Sequence, residues 1–433
     1  MGAQQIIVVG GGAAGFFAAI TAAEQGASVA ILEKTSRFLD KVRISGGGRC
    51  NVTHAGFDPR DFATRYPRGG KALLAPFLNF SARDTMDWFA SRGVELKTEA
   101  DGRMFPVTDS SQSIVDCLMN AARAAGVNLR LNAGVESVKK NADGRFELTL
   151  GRAGSPLPAA AIRINHGAQG TARPAEKFGE QIFCDRLLLA TGGCRAAVAG
   201  QLAVSLGHAL EPPVPSLFTF HIESPWLRSL AGISVEAVEV SVPSVKLRER
   251  GPLLVTHWGV SGPAILRLSA WGARALHDLD YRFPLFVNWL PELNAEKVAR
   301  IFQSRREASG AKLVVNAALA PLPARLWEQL VLASGIARDT RWSVLTRSQT
   351  HALAQQLART ELAVTGKSLN QDEFVTCGGV RLAEVNFKTM QSKVCPGLFF
   401  AGELLDIDGV TGGFNFQAAW TTGWIAGQAM AAK

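Results

Sequence analysis

Apolar residues recur along this chain in two different periods, and residues 5–33 show both. Ile6-Ile7-Val8-Val9 is an unbroken run, the pattern of a strand buried on both faces. Ala13 to Gln25 is alanine-rich, with Phe16, Phe17, Ile20 and Ala23 at helical spacing, and Gly26 is placed to cap it. Ser28 to Leu32 returns to the buried-strand pattern. A strand–helix–strand start predicts an α/β fold built on a parallel, doubly wound sheet. Later segments extend the same sheet: a helix over Ser113–Ala125 ending at Gly126, a strand at Leu129–Leu131, an alternating hairpin strand at Phe146–Leu150, and an all-apolar strand at Arg186–Ala190.

Beyond Gly193 the character changes. Pro212, Pro213 and Pro215 mark a boundary, and short strand-like runs follow at Leu217–Ile222, Val235–Val242, Leu253–Thr256 and Phe283–Trp289, the spacing of a small barrel or sandwich. Glu292 to Thr365 reads as helical, broken at Pro321 and Pro323. Short strands resume near Gly366, notably Gly397–Ala401, and a helix from about Gly413 to Ala432 ends the chain. The expected organisation is a nucleotide-binding domain in two segments, 1–195 and 367–433. Between them lie a β-barrel-like insertion, 196–291, and a helical subdomain, 292–366.

Composition narrows the class. A single core stops growing at about 250–300 residues, so 433 residues imply more than one domain. With 47% hydrophobic and 19% charged residues the chain is globular rather than disordered. No apolar run approaches the roughly 20 residues of a membrane helix, and no basic leader precedes the first strand. Six scattered cysteines without a Cys-x-x-Cys pair suggest neither a disulfide framework nor a metal site. A soluble cytoplasmic protein is expected.

The net charge of +9 is unevenly spread. Residues 34–71 hold nine basic against three acidic residues, and residues 295–367 hold eleven against five. Each stretch has a surplus of 6, so the remainder is slightly acidic. Such surpluses fit either a solvated face with a phosphate-bearing cofactor or a footprint for a polyanion.

Between the first strand and helix stands Gly10-x-Gly12-x-x-Gly15. The first glycine permits the tight turn, the second lets a pyrophosphate approach the backbone, and the third lets helix pack on strand. Glu33 ends the second strand, where an acid binds ribose hydroxyls and repels a 2′-phosphate, so FAD or NAD is expected rather than NADP. Three more glycine clusters favour FAD: Thr191-Gly192-Gly193 after an apolar strand, Ser45-Gly46-Gly47-Gly48-Arg49-Cys50-Asn51, and the run from Gly402 to Asn415. A strand, an acid for polyol hydroxyls and a glycine pair opening a helix suit a flavin, whose reduced ring gains from a helix N-terminus.

These motifs resemble a family of bacterial FAD-dependent flavoproteins, the aminoacetone oxidase-like or NAD(P)/FAD-dependent oxidoreductases (BaiN/RdsA type). The matching pieces are Ser45–Thr53, Arg103–Pro106, Thr256–Pro263, Thr376–Val380 and Gly402–Asn415, which span most of the chain. The resemblance implies a two-segment Rossmann-like FAD domain with a barrel-plus-helices insertion, and reduction of conjugated enones or formation of dihydrouridine in ribosomal RNA. Three positions depart from the pattern. His54 stands where asparagine is expected, Leu39-Asp40-Lys41 replaces a Gly-Arg-Lys-like start, and Phe414 replaces the more usual tyrosine. The expected FAD-binding set is Gly10, Gly12, Ala13, Ala14, Gly15, Glu33, Lys34, Lys41, Ser45, Gly46, Gly47, Gly48, Arg49, Asn51, Val135, Thr191, Gly192, Gly193, Gly402, Glu403, Asp406, Gly413, Phe414 and Asn415.

Saturating a C=C bond needs hydride from the flavin and a proton from a positioned acid. Cys50 is one candidate donor, with Arg49 expected to lower its thiol pKa. His257 is the other, and a small turn residue and a barrel histidine fixing a loop are the plain alternatives. The expected activity is an NAD(P)H-driven reductase with ribosomal RNA or a small enone as substrate. An oxidase and a flavin-containing RNA-binding or assembly protein without turnover are the rivals. Trp420 and Trp424 read as core, and no aromatic stacking platform for bases is visible.

Overall fold

The computed structural model describes residues 4–151, 179–194, 197–367 and 375–432. The chain divides into two units, one running to Pro213 and resuming at Gly378, the other Val214–Cys377. Helix Ala197–Ser205 therefore belongs to the first unit, past the expected break after residue 195, and the proline cluster marks the crossing.

The first unit is built on a seven-stranded sheet. Its centre is parallel, in the order Leu398–Phe400, Arg186–Leu189, Gln5–Val9, Ser28–Leu32, Asn128–Arg130, with Ile6 opposite both Arg186 and Val29. Val385–Asn386 and Gln391–Ser392 add an antiparallel edge. Strand Phe146–Leu150 does not join this sheet. It pairs with Val135–Lys140 and Gln181–Cys184 in a separate antiparallel sheet. Its alternating burial suits a sheet with one wet face, whereas the strands of a covered parallel sheet are apolar throughout.

The edge of the main sheet is fastened by His208, which lies 2.8 Å from Glu384 Oε2 through Nδ1 and 2.8 Å from Ser392 Oγ through Nε2. Ser392 Oγ in turn accepts from the N–H groups of Val394 and Cys395. Burial holds the His208 pKa below its ordinary value of 6.5, against Glu384, which raises it. The neutral ring is the one that fits. Its contribution to stability is thus present above about pH 6.5 and is lost as pH falls through the lowered value. Thermal melts across that range are expected to show a smaller acid-induced drop for His208→Gln than for the parent; equal drops would place the sensitivity elsewhere.

The second unit is a seven-stranded antiparallel sheet, in the order Thr360–Val364, Phe283–Asn288, Ser234–Val242, Leu247–Thr256, Gly259–Ser261, Phe220–His221, Gly366–Lys367. Its first and last strands are consecutive in sequence, so residues 360–367 close it into a barrel. This closing strand lies inside the stretch expected to be helical. Helix Arg347–Arg359 stops at Thr360, where the pattern turns to period two with Thr360, Leu362 and Val364 inward. Helices Ala295–Ser309 and Ala324–Ala333 complete the helical part, and helix Pro263–Trp271 packs on the barrel without having been expected. Trp289, Trp327 and Trp342 are fully buried in this unit's core; Trp289 donates to Thr360 Oγ1 at 2.7 Å and Trp327 to the Val314 carbonyl at 2.7 Å.

Candidate functional site

In the first unit the helix Ala13–Glu24 begins at its N-cap Gly12, directly after strand Gln5–Val9. A Cβ on Gly15 would stand 2.0 Å from the Gly10 carbonyl oxygen, so only glycine allows the helix this close to the turn. A Cβ on Gly12, by contrast, would meet no atom within 4 Å. That space lies over the first turn of a helix, where unpaired N–H groups and the helix dipole favour an anion. Glu33 fixes the turn from the side: its Oε2 accepts from Gly11 N–H at 2.8 Å, and its Oε1 from the N–H and hydroxyl of Thr35, each at 2.9 Å. The carboxylate is thereby aimed, and Oε2, which accepts one of the three bonds, retains a lone pair for a ribose hydroxyl. Lys34 is exposed beside Gly134, and Val135 is buried next to it.

The second segment reaches the same place through helix-on-helix contact. A Cβ on Gly423 would lie 2.5 Å from the Ala14 carbonyl, and one on Gly427 2.6 Å from that of Ala18, so the last helix, Phe414–Ala431, rests on the first at backbone distance. Gly402 sits against Ala14 and donates its N–H to Thr422 Oγ1 at 3.0 Å. Lys41 Nζ and Glu403 Oε2 pair at 2.6 Å across 362 positions of sequence.

The glycine loop of Ser45–Asn51 is knitted to the start of that last helix. With its amide oriented to suit both neighbours, Asn51 accepts from Gly413 N–H at 3.0 Å and donates to the Thr53 carbonyl at 3.1 Å. Thr53 Oγ1 donates to Gln417 Oε1 at 2.6 Å, and Trp420 Nε1 to the Val52 carbonyl at 2.9 Å. Helix Asp40–Gly48 is kinked, with Ser45, Gly46 and Gly47 non-helical, and a Cβ on Gly47 or Gly48 would meet nothing within 4 Å. Thr191 Oγ1 is buried without a hydrogen-bond partner among the described residues, and the adjacent Gly192 also faces open space. Open glycine cradles, an orphaned hydroxyl and an aimed carboxylate fit a dinucleotide with a polyol arm.

Not every expected contact faces that cradle. Asn415 is engaged by the Gly409 backbone, donating to its carbonyl at 2.9 Å and accepting from its N–H at 2.8 Å. Phe414 is buried; its ring stacks on His54 with centroids 4.8 Å apart, beside Phe62 at 4.9 Å. Two departures from the family pattern, His54 and Phe414, thus pack on one another.

The two candidate acids lie in different units. Cys50 is fully buried at φ 60°, and burial pushes its thiol up to about 12, with the Ser45 hydrogen bond opposing. The expected lowering by Arg49 is absent. That guanidinium lies over the Phe105 ring at 3.9 Å and pairs with Glu99 at 2.6 Å and Asp109 at 3.4 Å. His257 is exposed in the turn between Leu247–Thr256 and Gly259–Ser261. Sequence reasoning missed Glu99, Tyr66, Thr422 and the pair Arg68–Asp408. Arg68 Nε donates to the buried Asp408 Oδ1 at 2.5 Å, and Tyr66 donates to the Phe414 carbonyl at 2.6 Å. No local motif announces Glu99, Tyr66, Thr422 or Arg68, and Asp408 lies inside the Gly402–Asn415 run without a role assigned to it.

A Rossmann-type sheet with this two-segment cradle defines a FAD-dependent oxidoreductase. Models of two domains match the chain: the HI0933-like protein Rossmann domain over residues 4–179, and the HI0933-like protein barrel and H2TH domain over residues 214–375. The chain belongs to the HI0933-like family. It is 29% identical to a 3-dehydro-bile acid delta(4,6)-reductase of Clostridium scindens, over 96% of each chain. It is also 29% identical to the ribosomal RNA dihydrouridine synthase of Escherichia coli, over 94% of this chain and 93% of that one. In fold it resembles the 3-ketosteroid-delta4-(5alpha)-dehydrogenase of Rhodococcus jostii, with a TM-score of 0.52, 16% identity and coverage of 99% and 97%. Among the described residues no helix is long and apolar enough to cross a membrane.

Proposed function

We propose that this enzyme takes electrons from NAD(P)H and adds hydrogen across a polarised C=C bond, and that its substrate is uridine in ribosomal RNA. The names of the bile acid reductase and the dihydrouridine synthase support the bond change, since dihydrouridine is uridine with two hydrogens added across C5=C6. The observation that carries the choice of RNA is in the second unit. Of the eleven basic residues over 295–367, nine are exposed: Lys297, Arg300, Arg306, Lys312, Arg325, Arg338, Arg341, Arg347 and Arg359. The stretch 34–71 supports it less. Lys41, Arg49 and Arg68 pair there with Glu403, Glu99 and Asp408, acids from outside the stretch, and its surplus falls from 6 to 3. The small-molecule reading rests on the bile acid reductase, which is equally similar. An RNA substrate places the enzyme in the cytoplasm.

Bound FAD supplies the hydride; the chain must hold the cofactor, orient the acceptor and deliver a proton. Cys50 is proposed as the proton source. Sγ is protonated at neutral pH, the state a donor starts from. Burial, which pushes its pKa up to about 12, also makes it a weaker acid than a free thiol, so substitution is the test of this role. Cys50→Ala is expected to keep FAD and its reduction by NAD(P)H while slowing substrate reduction by roughly 100-fold. Loss of flavin instead would make Cys50 structural, and unchanged turnover would move the test to His257.

The substrate is tested by nucleoside mass spectrometry of ribosomal RNA from a strain lacking this protein and from its parent. A missing dihydrouridine, restored by enzyme, NAD(P)H and unmodified RNA, is the expected result. RNA binding should also weaken with salt, with a log–log slope of about −0.7 to −0.9 per phosphate neutralised. Identical RNA in both strains and no conversion in vitro would leave the small enone as substrate.

A further inference from the structure

Helix Pro263–Trp271 ends beside the start of strand Leu247–Thr256. A concavity of about 260 Å³ lies there, lined by Lys246, Leu247, Arg248, Glu249, Leu268 and Trp271. It is smaller than the roughly 300–1,000 Å³ of a drug-sized pocket, and has room for one base. Trp271 leaves 45% of its surface in water, against complete burial of Trp289, Trp327 and Trp342 in the same unit. The exposed indole is a surface on which a base can stack, one that no motif in the sequence singles out.

The charges beside it are arranged unevenly. Arg248 and Arg250 share one carboxylate, Glu239, at 3.5 and 2.8 Å. Glu249 is engaged by Arg267 at 3.2 Å, and Glu292 approaches Arg250 at 3.4 Å. Lys246, exposed in the turn before the strand, makes no ion pair among the described residues. Of the residues lining the concavity, Lys246 and Arg248 are cations and Glu249 is an acid held by Arg267. Arg248 shares Glu239 with Arg250, so Lys246 is the least neutralised cation beside the indole. Inorganic phosphate would use the cations and leave the indole wet. An uncharged ring would use the indole alone. A nucleotide uses both, stacking its base on the indole and setting its phosphate against Lys246 and Arg248.

We propose that this concavity holds one unstacked nucleotide of the RNA strand, a contact remote in sequence from the flavin motifs. It rests on the RNA reading above and adds a site to it. Holoenzyme is titrated with a fluorescently labelled single-stranded oligouridylate, followed by anisotropy at several salt concentrations. Trp271→Ala is expected to weaken binding by about 5- to 150-fold, the usual range for one base–aromatic stack, and Trp271→Phe to restore most of it. Lys246→Glu should reduce the magnitude of the salt slope by at least about 0.7, one phosphate's share. FAD content and NAD(P)H oxidation with a small enone should be unchanged in all three. Parent-like binding and slope in both Trp271→Ala and Lys246→Glu would overturn the site, while the ribosomal RNA comparison, which does not use these variants, decides the broader reading separately. Displacement of the oligonucleotide by NADPH from the parent, with NADPH binding lost in Trp271→Ala, would also overturn it by assigning the concavity to a free dinucleotide.

Discussion

Gly12→Ala is expected to yield a folded protein that has lost most of its yellow colour. The methyl group would meet no protein atom within 4 Å, and Gly12 has φ −92° and ψ −170°, a conformation alanine adopts freely. The fold therefore loses little, at most the cost of alanine at a helix N-cap, about 1 kcal/mol. The ligand loses much, because the methyl occupies the space through which a pyrophosphate reaches the N–H groups of the first turn. We expect FAD affinity to fall at least about 100-fold, about 2.8 kcal/mol. Gly15→Ala is the contrasting variant. Its Cβ would sit 2.0 Å from the Gly10 carbonyl and 3.2 Å from Val8 Cγ1, so the helix must shift. Overpacking of this kind costs about 1–3 kcal/mol, and the melting temperature of the flavin-free protein should fall along with FAD content. Flavin absorbance per mole of protein and thermal melting of both stripped variants check the pair. A Gly12→Ala protein that keeps a full complement of FAD would mean that the cofactor does not pass over this turn.

How much of this was legible in the sequence depends on whether the physical cause is local. The strand Ile6–Val9, the glycine turn and the helix after it are specified by neighbours in sequence, and their limits were read to within a residue or two. The barrel strands were likewise visible as short apolar runs. The strand that closes the barrel was not, because Thr360–Val364 follows a long helix without proline or glycine between them and its alternation spans only five residues. Helix Pro263–Trp271 was missed for the opposite reason, since it follows a short strand and Gly262 as tightly as a hairpin would. At the site, glycine clusters pointed to a cradle, but side-chain direction was out of reach. Phe414 and Asn415 sit inside a conspicuous motif and yet turn to His54 and to the Gly409 backbone. Arg49 follows the glycines and bends away to Glu99, half a hundred residues further on, leaving Cys50 to the effect of burial alone but for Ser45. Such choices are made by partners distant in sequence.

The pair Arg68–Asp408 is another partnership between residues distant in sequence, and its loss carries a large expected effect on stability. Asp408 is completely buried, and its side chain holds Arg68, itself 16% exposed, through Nε and a second guanidinium nitrogen. The two residues also form an antiparallel bridge between backbones 340 positions apart, and Val410 N–H donates to the Arg65 carbonyl at 2.9 Å. The loop they fasten leads into Gly413 and the helix that rests on the cofactor turn. Removing one partner of a buried pair strands the other charge away from water, at about 3–5 kcal/mol. Asp408→Ala is expected to show that loss as a lower denaturant midpoint, with flavin released before the second unit's tryptophans report unfolding. Replacing both residues by apolar ones of similar size removes the stranded charge as well as the attraction, and such exchanges are often near neutral. Arg68→Met/Asp408→Leu should therefore be more stable than Asp408→Ala, despite carrying one change more. A double variant as unstable as the two single losses added together would show that the pair acts by its own attraction rather than by avoiding an uncompensated charge. A single variant with the parent's midpoint would show that Arg68 finds water or another acid when Asp408 is gone.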